Sequence, residues 1–108
     1  MKTLSNSFRS KLKKLAHKLK PVVLVGQKGI TDTLLQAVHK ALEDHELIKV
    51  KFIDFKDEKI DLTDRIVQGT NSILVNVIGN IAIIYRENPE LAKEKKIKFS
   101  AGDVYEKI

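Results

Sequence analysis

Two glycines three apart, Gly26 and Gly29, sit where an apolar run at residues 22–25 gives way to a helical pattern opening near Thr31. The quartet Gly26, Gln27, Lys28, Gly29 has what an anion grip needs. Glycine permits tight backbone angles and lets another chain's backbone come close. Lys28 at the tip supplies a mobile cation, and the helix behind adds unpaired N–H groups and the positive end of its dipole. KH domains use a GxxG loop in this way to clamp a short run of nucleotides. Strand-to-helix turns also use glycine for purely local reasons, so the motif alone does not separate a phosphate grip from an ordinary turn. The named mononucleotide loops are excluded: Ile30 and Thr31 follow Gly29, and no G-x-G-x-x-G occurs.

The charge around this quartet is segregated. The formal net charge is +6, and residues 1–30 hold eight Lys or Arg and no acid. Residues 31–92 hold seven bases and eleven acids, and residues 93–108 hold five and three. Positive charge therefore lies at the two ends of a slightly acidic body, which points to a polyanionic partner more than to a uniformly basic surface. Phe8, Leu12, Leu15 and Leu19 recur at helical spacing and predict one buried stripe. At roughly 100° per residue, Arg9, Lys11, Lys13, Lys14 and Lys18 occupy the rest of the circumference. The plain account is that lysines cover the wet side of an amphipathic helix. An acid-free stretch this long favours a docking face for anions, with a membrane surface as the competitor to nucleic acid.

The elements that must position these residues follow from pattern. At 108 residues and 43% hydrophobic, the chain makes one domain with a real core. A Ser or Asn among residues 5–7 caps the first helix, and Pro21 ends it by disfavouring helix at Lys20. Residues 22–25 read as a short strand buried on both faces. Thr31 caps a second helix whose buried stripe is Leu34, Val38, Ala41 and Leu42. Next, "LIKVKFI" alternates, with Ile48, Val50 and Phe52 on one face and Lys49 and Lys51 on the other. A third helix over residues 57–69 buries Leu62 and Ile66 and carries acids in its first turn. "ILVNVI" and "IAIIYR" flank Gly79-Asn80, a two-residue hairpin turn. The predicted order is α-β-α-β-α-β-β, an α/β domain with a four-stranded mixed sheet packed by helices. After Arg86 the tail is charged; "KEKKIKFS" has the pattern of a short strand, and the rest is expected to be mobile.

Other chemistries find little support. There is no cysteine, which removes disulfides, thiolate catalysis and thiolate-bound zinc and fits a reducing, cytoplasmic location. The uncharged stretch at residues 66–85 has the length of a membrane span, but its Gln, Asn, Ser, Thr and Gly residues divide it into a helix end and two strands. The basic N-terminus lacks the apolar region of a secretory signal. His17, His39 and His45 are too scattered for a metal site. Asp57, Glu58, Asp61 and Asp64 share a helix face, read as solvated rather than catalytic. Aromatic residues are few, so base stacking on a broad aromatic sheet is not expected.

Three blocks carry a resemblance: "LAHKLKPVVLVGQKGIT", "ALEDHELIKVKF" and "VNVIGNIAIIYR", in that order. Together they resemble the bacterial YhbY-type CRM-domain proteins (chloroplast RNA splicing and ribosome maturation) over about residues 4–87. The resemblance implies a fold like the C-terminal domain of a bacterial translation initiation factor, RNA binding without catalysis or cofactor, and association with precursors of the large ribosomal subunit. It implies RNA contacts at Gly26, Gln27, Lys28 and Gly29, with Lys11, Lys14, Lys18 and Lys20 alongside. Arg86 also matches, in either an RNA-facing or a structural role. The expectation is a monomer binding ribosomal RNA, with an RNA-binding domain at 1–87 and an extension at 88–108. The competing expectations are a membrane-surface or protein-interaction module using the basic helix, and a small enzyme acting on a phosphorylated substrate.

Overall fold

The computed structural model describes residues 4–97. Helix α1 (Asn6–Ala16) starts where the Ser5 hydroxyl accepts the Phe8 N–H, and it places Lys13 and Lys14 in its last turn, where the dipole favours cations. Leu4, Phe8, Leu12 and Ala16 are buried, whereas Leu15 and Leu19, expected in the same stripe, are exposed. Four-residue steps advance about 40° each at 100° per residue, so the contact line has rotated past Leu15 by the last turn. Leu19 falls beyond the helix, which ends at Ala16, short of the boundary expected at Pro21.

Strand β1 (Val23–Val25) pairs in parallel with β2 (Leu47–Phe52), and the crossover between them is helix α2 (Asp32–His45). Helix α3 (Lys59–Thr70), entered through the 3₁₀ turn Lys56–Glu58, leads to the hairpin of β3 (Ile73–Ile78) and β4 (Ile81–Tyr85). β4 lies antiparallel between β2 and β3, giving the order β1-β2-β4-β3. This is the expected mixed four-stranded sheet. One expectation changes: β1 is an edge strand buried on one face, with Val23 and Val25 inside and Leu24 53% exposed. Its apolar run is continuous even though no helix covers the outward Leu24.

The sheet separates two cores. On one face, α2 and α3 close over Val23, Val25, Ile48, Val50, Phe52, Ala82 and Ile84. On the other, α1 packs Phe8, Leu12 and Ala16 against Leu47, Val75, Ile83 and Tyr85, with Phe8 edge-on to the Tyr85 ring at 5.4 Å. The register shift between Leu74 and Asn76 bulges β3, and Arg9 donates from one nitrogen to the Leu74 and Val75 carbonyls there, at 2.8 and 2.6 Å. The bulge would otherwise leave these acceptors without ladder partners.

The extension after Arg86 is tied down as far as it is described. Glu46, at φ +63° and fully buried, accepts from the Asn88 N–H (2.6 Å), the Ile97 N–H (2.9 Å) and the Lys96 ammonium (2.9 Å). A carboxylate is tolerated inside a protein only when surrounded by donors in this way. Residues 93–95 form a turn, followed by a bend at Lys96; the remainder of the strand expected in "KEKKIKFS" lies outside the described residues, as do 101–108.

Candidate nucleic-acid interface

The quartet is a closed tight turn. The Gly29 N–H donates to the Gly26 carbonyl at 3.0 Å, which puts Gln27 and Lys28 at the corners, both exposed. Gly29 sits at φ +64°, where other residues are strained. A Cβ at Gly26 would meet nothing within 4 Å, so that position is open to an approaching chain. Behind the turn, the Thr31 hydroxyl accepts the Leu34 N–H at 3.1 Å and starts α2. Asp32, exposed in the first turn, offsets part of the dipole that would otherwise attract an anion. The attraction at this end of the sheet therefore rests on Lys28 and on neighbours across the strands.

Those neighbours lie on an open part of the sheet. Leu24, Lys51, Ile81 and Ile78 are aligned across β1, β2, β4 and β3 on the face that α1 covers farther down. Leu24 and Ile78 are 53% and 60% exposed, and Lys51 is exposed between Leu24 and Ile81. One side of this row borders the Gly26–Gly29 turn that follows Val25. A segment at residues 53–55 is pinned beside it: the Ile53 and Asp54 N–H groups both donate to the Val25 carbonyl, at 2.9 and 3.1 Å.

The other expected contacts divide into two groups. Lys11, Lys14, Lys18 and Lys20 are all exposed, on α1 and on the connection from it to β1. Lys49 holds that connection by donating to the Leu19 carbonyl at 2.9 Å, and the Val22 N–H returns a bond to the Lys49 carbonyl at 3.1 Å. From Lys20 to Gly26 is six residues of chain, at most about 20 Å. A polyanion lying along β1 would meet both.

Arg86 is placed elsewhere. It follows Tyr85, which pairs with Leu47 at the start of β2, whereas the turn follows Val25, paired with Phe52 at its end. Its guanidinium donates to the Thr70 carbonyl (2.7 Å) and the His39 carbonyl (3.2 Å) and meets His39 Nδ1 at 2.9 Å. Of the two roles open to it in the sequence, this geometry is the structural one: it joins α2 to the end of α3. Among the described residues no three His, Asp or Glu converge to hold a metal, and no helix is long and apolar enough to cross a membrane.

A small α/β domain with one helix on one sheet face, two on the other and a Gly-x-x-Gly turn at the end of an edge strand defines a compact, loop-presenting class of fold. The chain belongs to the CRS1 / YhbY (CRM) domain family, whose profile matches residues 4–86. It is 39% identical over 88 residues to a protein of Pseudomonas aeruginosa named a probable RNA-binding protein, covering 81% of this chain and 85% of that one. It is 41% identical over 91 residues to an RNA-binding protein of Haemophilus influenzae, covering 83% and 92%. The solution structure of a Staphylococcus aureus protein superposes with a TM-score of 0.72 at 34% identity, over 89% of this chain and 100% of that one.

Sequence reasoning missed three features here. Phe55, beside Gly29, is itself the left-handed residue of its turn, so no glycine marks the position. The buried role of Glu46 is hidden by its neighbours Glu43 and Asp44, which are exposed acids of the usual kind. The open sheet row exists because α1 packs on the other end of that face, against Leu47, Ile83 and Tyr85, and a helical pattern does not show where on a sheet its helix lies.

Proposed function

We propose that this chain is a non-enzymatic RNA-binding protein that holds the RNA backbone with the Gly26–Gly29 turn and Lys28. Lys11, Lys14, Lys18 and Lys20 supply further contacts and long-range attraction. The observation that carries this reading is the exposed Lys28 corner, closed by the Gly29–Gly26 bond and left sterically open at Gly26, within one short strand of the acid-free basic segment. The names of the Pseudomonas and Haemophilus relatives support the ligand class. The target within this reading is ribosomal RNA in precursors of the large subunit, bound by a monomer in the cytoplasm, as the family resemblance implies.

The test is capture of bound RNA by crosslinking in cells, read by sequencing, together with sedimentation of the tagged chain through a sucrose gradient. Enrichment of large-subunit ribosomal RNA and comigration with immature particles is the expected result. Recovery of no RNA above background would overturn the reading; recovery of other RNAs alone would overturn the ribosomal target.

One observation favours a second reading. Leu15, Leu19 and Val22 are exposed beside Lys14, Lys18 and Lys20, an apolar-and-basic pairing suited to an anionic membrane surface or a partner protein. Tighter binding to anionic vesicles than to structured RNA would select it.

A further inference from the structure

Among the described residues, Phe8, Phe52 and Tyr85 are buried, and Phe55 is the one exposed aromatic side chain. Its position follows from the backbone. Phe55 adopts φ +55°, ψ +38°, the left-handed conformation, and from there the chain enters the 3₁₀ turn, with the Glu58 N–H donating to the Phe55 carbonyl at 3.0 Å. The Asp54 carboxylate accepts the Phe55 N–H at 2.8 Å, and the two preceding N–H groups are held by Val25. The ring is thereby delivered against the anion turn: a Cβ on Gly29 would lie 3.5 Å from Phe55 Cε2. The ring is nonetheless 37% exposed.

Backbone preference does not account for phenylalanine at this place, and packing does so only in part, since 37% of the residue stays exposed. Left-handed backbone disfavours a bulky residue, and Gly, Asn or Asp would make the same turn at lower cost. The other two non-glycine residues at positive φ have evident reasons. Asn71 is a tolerated type at the end of α3, and Glu46 brings a carboxylate to its three donors. A ring that is strained at its backbone and only partly packed is a surface feature, and strained positions cluster where ligands are held. Its immediate neighbours set the ligand chemistry. Lys28 and the turn suit a phosphate, the aromatic ring suits a flat apolar group, and exposed Lys51 and Leu24 continue the surface across β1 and β2. A nucleotide presents that combination of phosphate and planar base.

We infer that Phe55 is a base-stacking residue, taking an unpaired nucleobase of single-stranded RNA next to a phosphate held by the Gly26–Gly29 turn. This rests on the RNA-binding reading and specifies its substrate: a strand with free bases, not a duplex, whose bases remain stacked on one another.

The full-length chain is titrated with three probes: a mixed-sequence single strand of about ten nucleotides, the same strand with abasic residues, and a duplex of equal length. The wild-type protein should prefer the base-bearing strand to the abasic one by about five- to a hundredfold, the range that one aromatic–base stack supplies. Phe55→Leu should abolish that preference while its affinity for the abasic strand stays unchanged. The chain contains no tryptophan, so Phe55→Trp adds a single reporter, whose emission should be quenched by the base-bearing strand and not by the abasic one. Equal affinities of wild type and Phe55→Leu for the base-bearing strand would overturn the inference, as would unquenched emission from the Phe55→Trp variant at saturation. So would a preference for duplex, which leaves RNA binding itself standing. Absence of binding to all three probes by the wild-type chain would overturn the RNA-binding reading along with it.

Discussion

A Cβ at Gly26 would meet nothing within 4 Å, whereas one at Gly29 would sit on a backbone at φ +64° and 3.5 Å from the Phe55 ring. The two glycines look equivalent in the sequence and answer to different demands. Gly29→Ala should destabilise the fold by about 1–2 kcal/mol through left-handed strain alone, read as a lower thermal midpoint. Gly26→Asp should leave the midpoint within error and weaken RNA binding, since a carboxylate would then face the phosphates that Lys28 attracts. At an effective dielectric near 20, a like charge in contact with phosphate is worth up to about 4 kcal/mol, and solvent screening reduces this to roughly a tenfold loss in affinity. Gly26→Asp that binds RNA as the wild type does would make the quartet a turn and nothing more. The residue types Gly, Gln, Lys and Gly were legible as a possible grip. The asymmetry between the glycines was not, because it lies in the backbone: Gly29 closes the turn at φ +64°, and the residue type alone does not show which of the two glycines must do so.

At the scale of elements, the first helix and the last strand are instructive. The helical spacing of Phe8, Leu12, Leu15 and Leu19 locates α1 but not its buried side, since a helix laid obliquely on a sheet is buried along its four-residue row. Strand β1 is evident from its apolar run, but burial on both faces does not follow from that run, because β1 and α1 leave the same corner of the sheet uncovered. Arg86 shows the limit of a position matched by resemblance. The sequence leaves both structural and RNA-facing roles open, and the guanidinium bridge between the Thr70 and His39 carbonyls gives it a structural one. Arg86→Ala should cost about 2–4 kcal/mol by leaving these acceptors short of partners, measured by chemical denaturation. RNA affinity, taken at a temperature where the variant is fully folded, should not change. A native-like denaturation midpoint with weakened RNA binding would return Arg86 to the interface. The Glu46 clasp makes a parallel case. Glu46→Gln replaces an acceptor-only group facing three donors, and should destabilise the fold by roughly 2–3 kcal/mol, with faster amide exchange at Asn88 and Ile97. Unchanged exchange at both amides would mean that other contacts hold the extension.

For the whole molecule, the most legible property was the distribution of charge, because counting acids and bases along the chain requires no fold. What the fold adds is direction. Lys11, Lys14, Lys18 and Lys20 lie upstream of β1 and Lys28 downstream, so on the proposed reading a polyanion would cross the molecule along its edge strand rather than being drawn to it from all sides. Asp57 and Glu58 of the 3₁₀ turn and Asp61 in the first turn of α3 are exposed just after the 53–55 segment and would oppose binding in that direction. Five lysines neutralising about five phosphates should give a slope of log K against log salt of roughly −3.5 to −4.5, the shallower value for single strands. The double change Lys14→Ala, Lys18→Ala should reduce the magnitude of that slope by about 1.4–1.8 while leaving the preference for one RNA sequence over another as it was. The two lysines are solvent-facing, so circular dichroism and the thermal midpoint should match the wild type. A flat salt response in the wild type would remove the electrostatic basis of the interface. A steep slope untouched by the double change would confine the contacts to the loop end of the sheet, where Lys28, Lys51 and Phe55 would have to hold the strand without help from α1.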